Sequence, residues 1–532
     1  MKTIIKTSLV VAMALSGVNA SSLSEKLNTL ETELVDLKKQ VKKQNKKLNK
    51  VKAHDANDNI KWGVDLRTAI ENINYDLANG ESAGKNDLMS MRLWLNMEFA
   101  PDEKNIFKGQ LSMNKAFGAD FGSPNNRNFS LGGQFDWTGN EALTDNSLKV
   151  RQAYWLYLGD SFFGADIPWT FSVGRRPSTN GFLANLRDDD SAASPLAHVI
   201  NVEFDGLSSK LDLSNITGIP GMSIKLCMGQ GSTNAQPLFE SPTPYANGDS
   251  SELEDIKLAG FIFEPYNDGQ FIVKSTWYKA FDLPGMDPVI GGTVLDPTNS
   301  NPSLTINQSK FKQYGDMQGA ALSVMVDGLT EEGYFSDAKV FGSFAWSKTQ
   351  PETGSSMLGS SESETGTSYW IGAQLPVTES GKLGLEFNHG SQYWRPFTYA
   401  EDTMIGSKIA ARGDAVEAYF TYQLTDALSA QIRYTKIDYD YTGSNGFFGN
   451  FSGGTNKIED MKNAANAFTA LGGTVDANGA HNIGVVTGNL MAQNMPQAQA
   501  QQTAGEMAGA ALFLPNVVES AQDLRFYIRY RF

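Results

Sequence analysis

The chain has 532 residues, 41% hydrophobic and 11% aromatic, with 51 glycines, one cysteine and a formal net charge of −15 at pH 7. A single cysteine excludes an internal disulfide framework and a cysteine-based zinc site, and the acidic balance offers nothing to nucleic acid. No segment past the first twenty residues is apolar enough to span a membrane as a helix, so any crossing must be made by strands.

Lys2 and Lys6 precede a short apolar run, Leu9 to Leu15, and Val18-Asn19-Ala20 supplies small residues at a cleavage point. This is the secretory signal pattern, and residues 1–20 are expected to be removed. From Leu23 the apolar residues Leu27, Leu30, Leu34, Leu37, Val41, Leu48 and Val51 follow at spacings of four and three, with Gln44 at the one polar seam position. Heptads of this kind pair helices through a narrow stripe. Residues 21–53 are therefore expected to form a short periplasmic α-helical coiled coil of three copies; one amphipathic helix lying on the barrel mouth is the alternative. Nine lysines against four acids in this segment suit contact with anionic cell-wall polymer, although a solvated face gives the same pattern. Residues 54–532 hold 33 basic and 55 acidic groups, a balance of −22.

Beyond the coil the apolar period becomes two. Trp62, Val64 and Leu66 alternate with Asp65 and Arg67, and Met89, Met91, Leu93, Leu95, Met97 and Phe99 alternate with Ser90, Arg92, Trp94, Asn96 and Glu98. With these two, near 60–75 and 89–99, further strands are expected near 107–113, 150–158, 169–174, 199–206, 221–229, 255–263, 270–279, 316–326, 338–348, 367–375, 382–389, 414–424, 429–440 and 521–532, sixteen in all. An even count, short turns at one end and long loops at the other define an all-β fold, a transmembrane antiparallel β-barrel in residues 54–532. In MSIKLCMGQG, Cys227 is out of phase with Ile224, Leu226 and Met228, which places it on the lumen side. Residues 441–520 form a final extracellular loop too long to be bare. Helical patterns at Ile458–Leu471 and Asn489–Phe513 predict a partial cap over the outer mouth, packing inside the lumen being the other option.

The last eleven residues, QDLRFYIRYRF, put Leu524, Phe526, Ile528, Tyr530 and Phe532 on one face and Arg525, Arg529 and Arg531 on the other. This ending resembles the terminal strand of bacterial outer-membrane barrels, in which the last aromatic, here Phe532, is the signal read by the barrel assembly machinery. If the phases hold, Arg67, Arg92, Lys108, Arg151, Arg525 and Arg529 form one inward-facing basic wall, because the last strand must pair with the first. Opposite it, the third loop carries Arg187 followed by Asp188, Asp189 and Asp190. Opposed charges across a narrow gap set a transverse field.

A basic wall facing an acidic third loop resembles the constriction of sixteen-stranded trimeric porins of Gram-negative bacteria. The segments RQAYWLYLGDSFFG (Arg151 to Gly164) and FSVGRRP (Phe171 to Pro177) are similar to the strands that precede that loop in the family. The coil and the long final loop are closer to campylobacterial porin-like proteins without assigned function. The resemblance implies a homotrimer in outer-membrane lipid, without cofactor or metal, that passes small hydrophilic solutes and ions by passive diffusion. The acidic total argues for a weak cation preference. Rival readings are a substrate-specific channel gated by the last loop, with Trp94, Trp155 and Tyr157 as lumen aromatics, and a structural link from outer membrane to cell wall. A hydrolase is the enzymatic rival, with His198 near Asp190 and Ser194 the one conceivable grouping among His54, His198, His389 and His481; the chain is expected not to be an enzyme.

Overall fold

The computed structural model describes residues 60–119, 143, 146–177, 180–233, 235–237, 245–247, 254–285, 289–291, 305–307, 312–398, 404–444, 454–476 and 479–532. The signal at 1–20 and the coil seam from Leu23 to Val51 lie outside the described residues.

Sixteen strands close into one antiparallel barrel. They are β1 (Lys61–Leu77), β2 (Ser82–Phe99), β3 (Asn105–Ala116), β4 (Lys149–Gly159), β5 (Trp169–Pro177), β6 (Glu203–Asp212), β7 (Ser223–Ser232), β8 (Ile256–Asn267), β9 (Phe271–Gly285), β10 (Lys312–Asp327), β11 (Lys339–Pro351), β12 (Thr365–Thr378), β13 (Gly381–Gly390), β14 (Gly413–Gln423), β15 (Leu428–Tyr439) and β16 (Val518–Arg531). Closure is made by β1 against β16, with Arg67 opposite Arg529 and Glu71 opposite Arg525. The Phe532 amide and carbonyl both bond Val64, each at 3.0 Å, which extends that seam to the last residue.

Each strand alternates as its sequence does. On β16, Leu524, Phe526, Ile528 and Tyr530 are exposed, while Asp523, Arg525, Tyr527 and Arg529 are buried. The same alternation leaves Leu322 and Val324 of β10, Tyr369 and Ile371 of β12, and Ile432 and Tyr434 of β15 on the outside. Rows of apolar side chains outside and charged ones inside suit a wall with hydrocarbon on one face and water on the other.

Every expected strand is present in order, but the sixth is displaced from 199–206 to Glu203–Asp212. Val199, Ile200 and Val202 are apolar because they pack within the lumen, not because they face lipid. Trp155 and Tyr157 are also not lumen residues. Trp155 is 42% exposed and pairs with the equally exposed Val173, whereas the next residue, Leu156, lies opposite the inward-facing Ser172. Regular pairing of β4 with β5 begins only at Ala153, so the phase set by the inward-facing Arg151 breaks before Trp155. Cys227 does face inward, opposite the buried Ser208.

Among its described residues the long last loop holds three helices: α1 (Ile458–Ala470), α2 (Ile483–Ala492) and α3 (Gln497–Phe513). The second expected helix is divided because Pro496 lacks an amide proton and disfavours helix in the residue before it. Ala500, Ala504 and Ala508 of α3 recur every fourth residue and meet Phe468, Ile483, Val486 and Leu490 in a small core. Ile458, Ala465 and Leu514 instead pack on Ile73, Ala415, Ile437 and Ala521 at the loop end of the barrel.

Candidate functional site

The loop between β5 and β6 enters the barrel. Gly181–Phe182 pairs in parallel with Ala193–Leu196, a single turn spans Ala184–Leu186, and Leu183 and Asp189 adopt left-handed backbone at φ 82° and 54°. A buried leucine in that conformation costs about 1–3 kcal/mol, so surrounding contacts must impose it. Asn185 supplies two of them: its carbonyl accepts from the Leu183 amide at 3.1 Å and its amide donates to the Asp190 carbonyl at 2.8 Å.

Four successive loop carbonyls then receive donors from the wall. Leu186 accepts from Gln374 of β12 at 2.8 Å, Arg187 from Gln431 of β15 at 2.7 Å, Asp188 from Arg529 at 2.8 Å and Asp189 from Arg531 at 3.2 Å. The side chains are held as well. Asp188 accepts from the Tyr527 hydroxyl at 2.9 Å and lies 4.0 Å from Arg67. Asp190 pairs with Arg529 and Arg531, each at 2.8 Å, and Asp189 with Lys382 at 2.7 Å.

The acidic loop therefore does not face the basic wall across a gap; Asp188 and Asp190 are seated on it. Buried charges are tolerated only when paired, and the wall carries acids of its own. Arg529 also pairs with Asp65, which lies 3.5 Å from Arg92. Arg525 pairs with Glu71. Arg151 meets Glu203 and Gln110, both at 2.7 Å, and Trp94 lies beneath both Arg92 and Arg151. Lys108 lies on the same inner row as Gln110.

A second cluster lies on β14. Glu417 of β14 gathers Lys408 at 2.5 Å, Arg187 at 3.3 Å and Arg433 at 3.9 Å, and accepts from Thr435 at 2.7 Å. Lys408, which also pairs with Glu386 at 2.6 Å, belongs to the loop between β13 and β14. That loop folds inward too: Phe397–Thr398 pairs with Ile200–Asn201, and Trp394, Phe397 and Ile409 join Leu196, Val199, Tyr278, Met317, Phe341 and Trp370 in a buried core. Glu417 and Arg433 show the inward phase in sequence, but nothing local signals that Lys408 reaches them from a loop.

His198 is fully buried between Ser343 at 2.8 Å and Ser368 at 2.9 Å, with Trp370 and Trp394 edge-on. Burial pushes its pKa down to about 3. Its conceivable partners are engaged elsewhere, Asp190 with Arg529 and Arg531 and Ser194 with Lys225 at 2.6 Å. No Ser-His-Asp grouping is assembled there.

The fold and site define a sixteen-stranded antiparallel barrel whose lumen is crossed by an ion-paired loop. Residues 83–480 match the family described as "Protein of unknown function (DUF3373)", and the chain belongs to that family. No curated protein matches it in sequence. Among solved structures it is similar to an anion-selective porin from Comamonas acidovorans, at 10% identity over 89% of this chain and 99% of that one, with a TM-score of 0.42. It is also similar to OmpF of Salmonella typhi, at 11% identity over 90% and 99% with a TM-score of 0.42. A third is OmpT, an outer membrane protein of Vibrio cholerae, at 11% identity over 89% and 97% with a TM-score of 0.39. Likenesses this distant carry no argument about what passes through this barrel.

Proposed function

We propose that this chain is an outer-membrane channel of the porin type, in which small hydrophilic solutes and ions diffuse past the inner loop, and that it is not an enzyme. The observation that carries the reading is the closed wall, apolar outside and charged inside, with residues 183–190 clamped across its lumen. A structural barrel has no need of a loop held by four main-chain bonds and a set of ion pairs in its interior.

A weak cation preference belongs to the same proposal. Pairing with Asp65, Asp188 and Asp190 cancels most of the attraction that Arg67, Arg92 and Arg529 would exert on anions, which leaves the −22 balance of residues 54–532 to act at long range. The homotrimer is likewise proposed, on the resemblance alone.

A gated, solute-specific channel is the second reading, and α1 on the inner rim favours it. Recording from the purified protein in planar bilayers decides. Three equal steps with steady open current and a reversal potential slightly toward cations are expected in a salt gradient. Clear anion selectivity removes the preference, silence at all voltages removes the channel, and saturable block by one solute favours the gated reading.

A further inference from the structure

The wall formed by β5, β6, β7 and β9 differs from the ion-paired side. Lys210 and Lys225 stand directly opposite each other on neighbouring strands, on an inner row that continues to the buried Thr276. Arg176, Lys210 and Lys274 all act on Lys225 as repelling charges. Lys274 has Glu264 at 3.5 Å. Among the described residues, Arg176, Lys210 and Lys225 have no carboxylate within ion-pair distance. Lys225 is nonetheless only 9% exposed, with its ammonium 2.6 Å from the Ser194 hydroxyl oxygen, while Arg176 lies over the Tyr154 ring at 4.2 Å.

Like charges facing each other across a ladder are destabilising, and a buried ammonium is costly unless an anion answers it. Elsewhere in this lumen Glu417 answers Lys408, and Asp65 answers Arg529. Here the place of the acid is taken by a cavity in which Arg176, Ser194, Lys225 and Cys227 meet apolar walls that include Leu258, Ile262 and Tyr278. Its volume is about 40 Å³, on a measure by which one water needs about 10–15 Å³. That is room for an oxyanion head, not for a sugar. Ser194, which accepts from Lys225, keeps its own proton to donate.

We propose that this cavity is a binding site for a small oxyanion, a carboxylate or a phosphate group, held by Arg176 and Lys225 together with the Ser194 hydroxyl, with Lys210 adding positive charge from the facing strand. The inner loop closes the site through Ser194 and Pro195. The site needs the folded barrel but not conduction, so it stands or falls separately from the channel reading.

Cys227 lines the same cavity and is the only cysteine of the chain, which makes it the reporter. Full-length protein in detergent micelles is treated with an anionic and a cationic thiosulfonate, each rate being divided by its rate on a free thiol, and modification is followed by mass spectrometry. The anionic reagent is expected to react about tenfold faster, and inorganic phosphate or propionate to slow it at constant ionic strength. The more protective of the two assigns the head group. Lys225→Met should abolish both effects. Lys210→Gln, which relieves repulsion and so preserves folding, should reduce them severalfold. Equal rates for the two reagents in the unaltered protein, absence of protection by either anion, or full protection in both variants overturns the proposal.

Discussion

Arg529 on the closing strand donates at 2.9 Å to Asp65 of β1 and lies 2.8 Å from Asp190 of the inner loop. One guanidinium thus joins the barrel seam to the segment that crosses the lumen. The loop reaches its final pairing only once β16 has met β1, so docking of the loop is coupled to closure.

Asp190→Ala removes a carboxylate shared by Arg529 and Arg531. Arg529 keeps Asp65 and Arg531 is partly exposed, so the loss is expected to cost about 1–2 kcal/mol, measured by urea unfolding in lipid vesicles. The wall regains positive charge, so the reversal potential should move toward anions. An unchanged unfolding midpoint together with an unchanged reversal potential would contradict the clamp.

Glu417→Gln leaves Lys408, Arg187 and Arg433 facing a neutral amide. The expected destabilisation is about 3–5 kcal/mol. Adding Lys408→Met should restore little of it, since Lys408 keeps Glu386 as its partner and its removal leaves that buried carboxylate without a cation. A double variant markedly more stable than the single one would refute that account.

His198→Gln should alter the pH dependence of unfolding. The unfolded histidine binds a proton below about 6.5, whereas the folded one, depressed by burial, does so only near 3. Between these values the unfolded chain holds more protons, so the contribution of His198 is complete above about 6.5 and is lost as pH falls toward 3, by up to about 1.4 kcal/mol per unit. The variant should lack that slope while conductance stays nearly intact. Identical slopes in the two proteins would show that His198 titrates normally.

Phe468→Ala empties the centre of the α1–α3 core, at a cost of about 3–5 kcal/mol. Because the buried residues of that core differ from those on the rim, proteolysis should quicken within 458–513 while the barrel keeps its heat-modifiable mobility on electrophoresis. A rise in single-channel conductance would mark the helices as a restriction on flow.

Deletion of Phe532 removes two main-chain bonds to Val64 and the ring that meets Tyr530 edge-on at 5.4 Å. Assembled barrel in the outer membrane should fall severalfold, while refolding in detergent should change little. Equal loss in both assays would make Phe532 a stability residue, not a signal.

The wall was legible in the alternation of side chains. A strand turns successive side chains to opposite faces, so residues such as Leu524, Arg525, Phe526 and Arg529 carry their own inside and outside, and sixteen such segments imply the closure of β1 on β16. The pattern misleads where the alternation has another origin, as at Val199, Ile200 and Val202, or where one irregularity shifts the phase, as before Trp155.

What fills the wall is set by long-range contacts. Arg187, Asp188 and Asp190 stand out in sequence, but whether they line open water or are buried on Arg529 and Glu417 depends on residues more than two hundred positions away, and no local period reports such distances. Lys408 and Glu417, like Lys210 and Lys225, became neighbours through strand register and inward-folded loops. Coulomb energy depends on separation and surroundings, which exist only once the barrel has closed.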